Sequence, residues 1–117
     1  MKKIGIICLV FIGLILLTGC TKEQNQEESK LDKILKEDNY IVVDVRTAEE
    51  YAEGHVKGAI NIPYDEIDEN TDLDKSKTIL VYCKSGVRSG KAYDTLISLG
   101  YTVENLGAYD TVELEKE

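Results

Sequence analysis

A cysteine followed by small and basic residues stands directly after an apolar run. Cys83 opens the segment Cys83-Lys84-Ser85-Gly86-Val87-Arg88-Ser89, which follows Thr78-Ile79-Leu80-Val81-Tyr82. A nucleophile at a strand end, followed by a turn of small residues and a helix start, lets backbone N–H groups and the helix dipole converge on an anion. Such a cradle stabilises a thiolate. We therefore predict that Cys83 is a reactive nucleophile rather than a packing residue, with Lys84 and Arg88 adding positive charge nearby.

The first twenty residues are typical of an export signal. Lys2 and Lys3 precede an apolar run from Ile4 to Leu17, which ends in Leu17-Thr18-Gly19-Cys20. The run is marginal for a membrane-spanning helix, which needs about 20 apolar residues. Its ending resembles a bacterial lipobox, and this resemblance implies cleavage before Cys20 and attachment of lipid, such as palmitate, to the Cys20 sulfur. The alternative is an uncleaved N-terminal membrane anchor.

Cleavage at that point leaves 98 residues, enough for one small domain. We predict a signal peptide over residues 1–19, a lipidated cysteine and polar tether over residues 20–30, and a domain over residues 31–117. In the mature chain 12 basic side chains face 22 acidic ones, a net charge of −10. This charge argues against nucleic acid as a partner and against electrostatic docking on anionic lipid. The predicted location is the bacterial cell envelope, with the domain outside the cytoplasm and bound to the membrane through its lipid.

The number of cysteines limits the chemistry. With Cys8 in the signal peptide and Cys20 lipidated, Cys83 is the only free thiol that remains. No internal disulfide can form and no second thiol can resolve an oxidised Cys83, which disfavours a dithiol oxidoreductase. A single cysteine and a single histidine, His55, make a poor ligand set, so we predict neither a metal nor a resident cofactor.

Short apolar segments alternate with helical patterns along the domain. Four helices are predicted. The first begins after a Ser29 cap and has apolar positions Leu31, Ile34 and Leu35, and the second runs from a Thr47–Glu50 capping box through about Ala52. The third covers Tyr64–Glu69, and the fourth covers Arg88–Leu99, ends at Gly100 and has apolar positions Ala92, Tyr93, Leu96, Ile97 and Leu99. Strands are predicted over Ile41–Val43, Ala59–Ile62, Thr78–Tyr82 and Thr102–Leu106. The alternation predicts an α/β fold with a mainly parallel central sheet flanked by helices. Ligands in such folds lie beyond the carboxyl ends of strands, where Cys83 falls.

Three segments of the chain resemble the rhodanese homology domain. They are the strand end Asp44-Val45-Arg46, the segment from Glu50-Tyr51 through Gly54-His55-Val56 to Ile62-Pro63, and the Cys-x-x-Gly-x-Arg-Ser loop that begins at Cys83. They occur in the family's order, and the resemblance covers about Leu31 to Leu106. It implies a rhodanese-like fold and sulfur transfer from a donor such as thiosulfate to a thiophilic acceptor, cyanide or a thiol, through a transient persulfide on Cys83.

Chemistry and resemblance together suggest roles for the loop. Cys83 attacks the outer sulfur of the donor as a thiolate. The N–H groups of the loop then hold the anionic terminal sulfur of the persulfide; the loop residues are Lys84, Ser85, Gly86, Val87, Arg88 and Ser89. Arg88 either supports the loop through a carboxylate or binds the donor. Lys84 either guides an anionic donor or is simply solvated.

The other residues of the resemblance have supporting roles. By family analogy Asp44 and Arg46 support the wall of the site, and the segment that contains His55 is mainly structural rather than catalytic. Family members commonly end in a helix that carries a tryptophan, whereas this chain contains none. Tyr109 is expected to replace part of that packing.

Two other functions stay open at this point. Four residues separate Cys83 from Arg88, and related phosphatases and arsenate reductases of this fold have one more, so a phosphatase is the weaker alternative. The other alternative is a non-catalytic rhodanese-like module that binds a protein partner, because fold alone does not establish function. For the enzyme, the expected partners are a small sulfur-containing anion and a thiol or cyanide acceptor.

Overall fold

The computed structural model describes residues 29–117, so the predicted signal peptide, Cys20 and most of the tether lie outside the described residues. The chain divides after Lys36 into two units, of which the second covers residues 37–117. Helix α1 (Lys30–Glu37) spans this boundary. The side chain of Ser29 accepts the Asp32 N–H at 3.1 Å, which confirms the predicted cap. Within residues 29–117, no helix has the length and apolar character needed to cross a membrane.

A sheet of four parallel strands forms the centre of the second unit. The spatial order is β2-β1-β3-β4, with strands β1 (Tyr40–Asp44), β2 (Ile60–Asn61), β3 (Thr78–Cys83) and β4 (Thr102–Ala108). Val43 of β1 pairs with Ile60 on one side and Val81 on the other. The central strands are rich in β-branched residues because both of their faces are covered. The predicted α/β fold with a mainly parallel sheet is confirmed.

Two helices connect the strands and frame the site. Helix α2 (Ala48–Glu53) follows β1 and begins at the predicted capping box: Glu50 N–H donates to the Thr47 hydroxyl, and Thr47 N–H donates to the Glu50 carboxylate. Helix α3 (Val87–Ser98) joins β3 to β4. Short 3₁₀ turns cover Tyr64–Glu66 and Tyr109–Thr111.

The helix predicted over Tyr64–Glu69 was too long, because the structure has only the single 3₁₀ turn at that place. Ile67 adopts an extended conformation (φ −81°, ψ 121°) and is buried in the core, which takes the chain out of the helix. The side chain of Asp68 then accepts the Asn70 N–H at 2.8 Å, so a turn replaces the next helical turn.

The main core lies between one face of the sheet and helix α3. Its fully buried members come from alternate positions of the strands and from α3: Val43, Val45, Ile79, Val81, Cys83, Ala92 and Leu96. Tyr93 and Leu99 pack against this core as predicted, but the prediction for Ile97 was wrong, since its side chain is 45% exposed. Ile97 is rotated by about 100° from the buried Leu96 and therefore faces solvent.

Candidate active site

The nucleophile lies at the carboxyl end of β3, under a tight turn. The Cys83 side chain is fully buried. The Gly86 N–H donates to Cys83 Sγ at 2.9 Å. Gly86 precedes helix α3 with a left-handed φ of 98°, a conformation that glycine adopts without steric cost. The turn and the first residues of the helix thus aim polar hydrogens at the sulfur, as the sequence predicts for Cys83.

Hydrogen bonds in this turn favour the ionised form of the cysteine. Burial raises the pKa of the Cys83 thiol, but hydrogen bonding with the Ser89 side chain and with the N–H groups of Ser89, Gly86 and Ser85 outweighs it, and the pKa lies below its ordinary value. The Cys83 thiol donates to the Ser89 hydroxyl oxygen at 3.5 Å, and that hydroxyl donates to the Gly86 carbonyl at 3.0 Å. When Cys83 ionises, rotation of this hydroxyl gives the sulfur a further donor.

Arg88 pairs with a carboxylate of helix α2. Its guanidinium makes two hydrogen bonds to Glu50, at 2.8 and 3.1 Å. This bonding, against the opposing effect of burial, lowers the pKa of Glu50 to about 2. Glu50 also closes the capping box with Thr47, so one carboxylate joins the start of α2 to the loop that carries Cys83. Of the two roles predicted for Arg88, the described contacts correspond to support of the loop.

Asp44 and Arg46 form a buried ion pair on the opposite face of the sheet from Cys83. Arg46 donates to both Asp44 oxygens, with its shortest bond at 2.6 Å, and to the Gly54 carbonyl at 2.6 Å. The Asn61 amide donates to the main-chain carbonyls of Asp44 and Arg46 at 2.9 and 3.0 Å. These contacts fix the end of β1 against β2 and the turn after α2.

Two tyrosines complete this face of the sheet. The Tyr82 hydroxyl donates to Asp44 at 2.8 Å and accepts the Val56 N–H at 3.0 Å. The ring of Tyr82 stacks on that of Tyr109 at 5.7 Å, and the Arg46 guanidinium lies 4.4 Å from the centre of the Tyr109 ring. Tyr109 therefore fills space next to the ion pair.

His55 contacts helix α2 and the last residues of the chain. Its ring stacks on Tyr51 at 3.8 Å, and its Nδ1 lies 2.9 Å from the Tyr51 carbonyl. Its backbone exchanges hydrogen bonds with Glu117, so the last residues run antiparallel to the segment at Val56. All of these contacts belong to the packing of the segment rather than to the Cys83 turn.

The outer side of the turn is open to solvent. Lys84, Ser85 and Val87 are exposed, and 65% of the Val87 surface is accessible. The turn therefore has an inner side of N–H donors directed at Cys83 Sγ and an outer side that incoming molecules can contact. A thiolate held by such donors can attack an electrophilic sulfur and can then stabilise the negative charge that moves to the outer atom.

Two residues of the site were missed at the level of sequence. The capping-box pattern identifies Glu50 but accounts for it within α2, and its partner Arg88 lies 38 residues away. Tyr82 reads as one more apolar strand residue. Tyr82 pairs with Asp44, at the end of the neighbouring strand β1. This pairing is the signal from which a hydrogen bond between the Tyr82 hydroxyl and the Asp44 carboxylate could have been predicted.

Comparison with known proteins agrees with this geometry. A family model described as "Rhodanese-like domain" matches residues 27–111. The chain is 44% identical over 78 residues to the thiosulfate sulfurtransferase PspE of Escherichia coli, covering 63% of this chain and 75% of that protein. It is 31% identical over 75 residues to a sulfurtransferase of Allochromatium vinosum, covering 63% and 70% of the two chains.

Solved structures show the same likeness. A rhodanese with anions from E. coli superposes with a TM-score of 0.61 at 38% identity, covering 67% of this chain and 96% of that one. The BH2092 protein of Bacillus halodurans gives a TM-score of 0.62 at 31% identity, covering 86% and 83%.

Proposed function

The chain belongs to the rhodanese-like domain family and is an enzyme of the sulfurtransferase class, and we propose that it moves one sulfur atom from an anionic donor such as thiosulfate to cyanide or a thiol. The observation that supports this most directly is the N–H···Sγ contact of 2.9 Å between Gly86 and a buried Cys83. A persulfide is more acidic than a thiol and carries its charge on the outer sulfur, which is the species that a ring of donors binds best.

The proposed reaction has two balanced steps. The Cys83 thiolate attacks the outer sulfur of thiosulfate, a sulfur–sulfur bond forms, and sulfite leaves with the electron pair of the bond that breaks. Cyanide then attacks the terminal sulfur of the persulfide, thiocyanate leaves, and the Cys83 thiolate is regenerated. With a thiol acceptor, the acceptor thiolate becomes the persulfide instead. No proton, metal or external electron is consumed in either step.

Replacement of the nucleophile tests this function. Cys83→Ser in the full-length protein should abolish thiocyanate formation from thiosulfate and cyanide and leave the circular dichroism spectrum unchanged. Cys8→Ser, compared in the unprocessed chain that still carries residues 1–19, removes a thiol from the other end of the sequence; it is the matched control and should keep the activity. Mass spectrometry after thiosulfate treatment should find one added sulfur on the peptide Thr78–Lys84, which contains Cys83 and no other cysteine. Full activity in a folded Cys83→Ser protein, or a Cys83 that never gains sulfur, would favour the non-catalytic module.

For the location we propose a lipid-anchored envelope protein, supported by the Leu17-Thr18-Gly19-Cys20 ending of an apolar run. Two or more acyl chains on Cys20 hold a protein firmly on a membrane, at ~0.8 kcal/mol per buried methylene. In cells, Cys20→Ala should prevent both incorporation of labelled palmitate and removal of residues 1–19. A mature protein that begins at residue 20 without lipid would contradict the anchor.

A further inference from the structure

We propose that Tyr82 is a positioning residue for Cys83, whose hydroxyl fixes the end of β3 from the opposite face of the sheet. The inference deepens the proposed sulfur transfer and rests on Cys83 being its nucleophile. Tyr82 and Cys83 are adjacent, and successive side chains of a strand point to opposite faces. Cys83 belongs to the core under helix α3, whereas the Tyr82 hydroxyl lies among the Asp44–Arg46 pair and Val56.

The hydroxyl connects three segments that are distant in sequence. It donates to Asp44 at the end of β1 and accepts the N–H of Val56, which lies between α2 and β2. Tyr82 has no solvent-exposed surface, so water cannot replace either bond. The Val45 N–H also donates to the Tyr82 carbonyl at 3.0 Å. Both the side chain and the main chain of Tyr82 are therefore held by β1 and its continuation.

The end of β3 needs such an attachment because its other neighbour is irregular. The pairing of β3 with β4 shifts between Val81 and Tyr82, where a bulge lets Tyr82 pair with Gly107. The extra residue, Leu106, lies on β4, and pairing resumes at Tyr82 with Gly107 and at Cys83 with Ala108. The ladder is disrupted locally at this point, and the Tyr82 hydroxyl on the β1 side adds a constraint there, one residue before the nucleophile.

The position of this strand end decides the environment of the sulfur. The loop donors lower the pKa of Cys83 only because they meet Sγ at hydrogen-bond distance, 2.9 Å for the Gly86 N–H. Hydrogen bonds weaken steeply with distance and angle, so a small displacement of the Cys83 Cα removes part of their effect. Loss of the Tyr82 hydroxyl should therefore raise the pKa of Cys83 without any change in the loop sequence.

The chain offers a closely matched control for this test. Tyr101 is also buried, and its hydroxyl also accepts a main-chain N–H, from Leu73 at 3.1 Å, and donates to an oxygen, the Thr71 carbonyl at 2.9 Å. Tyr101 precedes β4 at the end of the sheet away from Cys83. Tyr82→Phe and Tyr101→Phe thus remove the same atom and the same number of hydrogen bonds, but only the first lies beside the nucleophile.

The experiment measures the rate of Cys83 alkylation by iodoacetamide from pH 5 to 10 in the full-length protein. The peptide Thr78–Lys84 is followed by mass spectrometry, so the other cysteines do not contribute. Arg88 is the charged group that acts electrostatically on Cys83, and it is unchanged in both variants. We expect Tyr82→Phe to raise the apparent pKa of Cys83 by about one unit and to slow alkylation about tenfold at pH values below both pKa values, and Tyr101→Phe to match the wild type.

Each result bears on the proposal. Equal pKa values of Cys83 in both variants would overturn it, because the hydroxyl would then contribute to stability alone. A Tyr82→Phe protein that does not fold would also overturn it, since the hydroxyl would be required for the fold itself. Tyr109→Leu removes the ring stacked on Tyr82 and keeps the hydroxyl, and it should give a smaller shift in the same direction. Alkylation does not require sulfur transfer, so a failure of the proposed function, seen as no sulfur gained by wild-type Cys83, is distinguished from a failure of this inference.

Discussion

Glu50→Gln measures how much the pairing of Arg88 with Glu50 contributes to stability. The substitution keeps the shape of the side chain and removes the charge that Arg88 faces at 2.8 Å. The matched control is Glu49→Gln, since Glu49 lies in the same first turn of α2 but is exposed. Any general effect of charge near the helix dipole is common to both variants.

The expected effect on stability follows from the pKa of Glu50. Hydrogen bonds from Arg88 lower this pKa from 4.5 to about 2. Burial opposes the shift, and hydrogen bonds from Thr47 add to it. At ~1.4 kcal/mol per pKa unit, the shift corresponds to about 3 kcal/mol. The Glu50 and Arg88 side chains keep 23% and 26% of their surface in water, and a glutamine amide still accepts from Thr47. We therefore expect Glu50→Gln to lower the free energy of unfolding by about 2 kcal/mol at pH 7.

The pH dependence provides the sharper test. Because the folded pKa of Glu50 lies below the unfolded one, its stabilisation is complete above pH 4.5 and is lost as the pH falls toward 2. Urea unfolding of wild type and Glu50→Gln at pH 7, 4 and 2.5 should show a difference that shrinks over this window. The Glu49→Gln protein should stay within about 0.5 kcal/mol of wild type throughout. A difference below that size at pH 7, or one that does not change with pH, would refute the reasoning.

Three further predictions concern the loop itself. Ser89→Ala removes the hydroxyl at 3.5 Å from Cys83 Sγ, and alkylation profiles should show a raised Cys83 pKa and slower reaction at pH values below it; an unchanged profile would contradict the donor role. Gly86→Ala places a methyl group on a residue with φ 98°, 3.7 Å from Gly107. Thermal unfolding should show a free energy of unfolding lower by about 1–2 kcal/mol, together with slower sulfur transfer. An unaffected protein would show that the turn tolerates another geometry. Lys84→Gln should raise the KM for thiosulfate a few-fold at low salt and leave it unchanged at high salt, whereas a salt-independent change would exclude electrostatic guidance.

Local patterns were sufficient for the elements that hold the nucleophile. The β-branched run before Cys83 predicts β3, the small residues after it predict the turn, and the Thr47–Glu50 pattern predicts the start of α2. Each of these depends on residues within about four positions of one another, which is the range over which helical and turn hydrogen bonds act.

The missing parts of the site are contacts between distant segments. The pairing of Arg88 with Glu50 requires α2 to lie beside the loop, which depends on β1 and β3 being neighbours in the sheet. The same strand order brings the Tyr82 hydroxyl to Asp44, although the two residues are 38 positions apart. The helix that begins at Tyr64 is shorter than predicted because Ile67 is buried in the core, which is also a tertiary effect.

The aromatic packing around Tyr109 has a practical consequence for spectroscopy. The chain contains no tryptophan, and two cations lie near the Tyr109 ring, with Arg46 at 4.4 Å and the Lys116 ammonium at 4.8 Å from its centre. A Tyr109→Trp protein would carry a single tryptophan, which can be excited selectively, on the sheet face opposite the nucleophile. Its emission would report the approach of those two charges, and so the attachment of the final residues, without a probe attached to the reactive thiol.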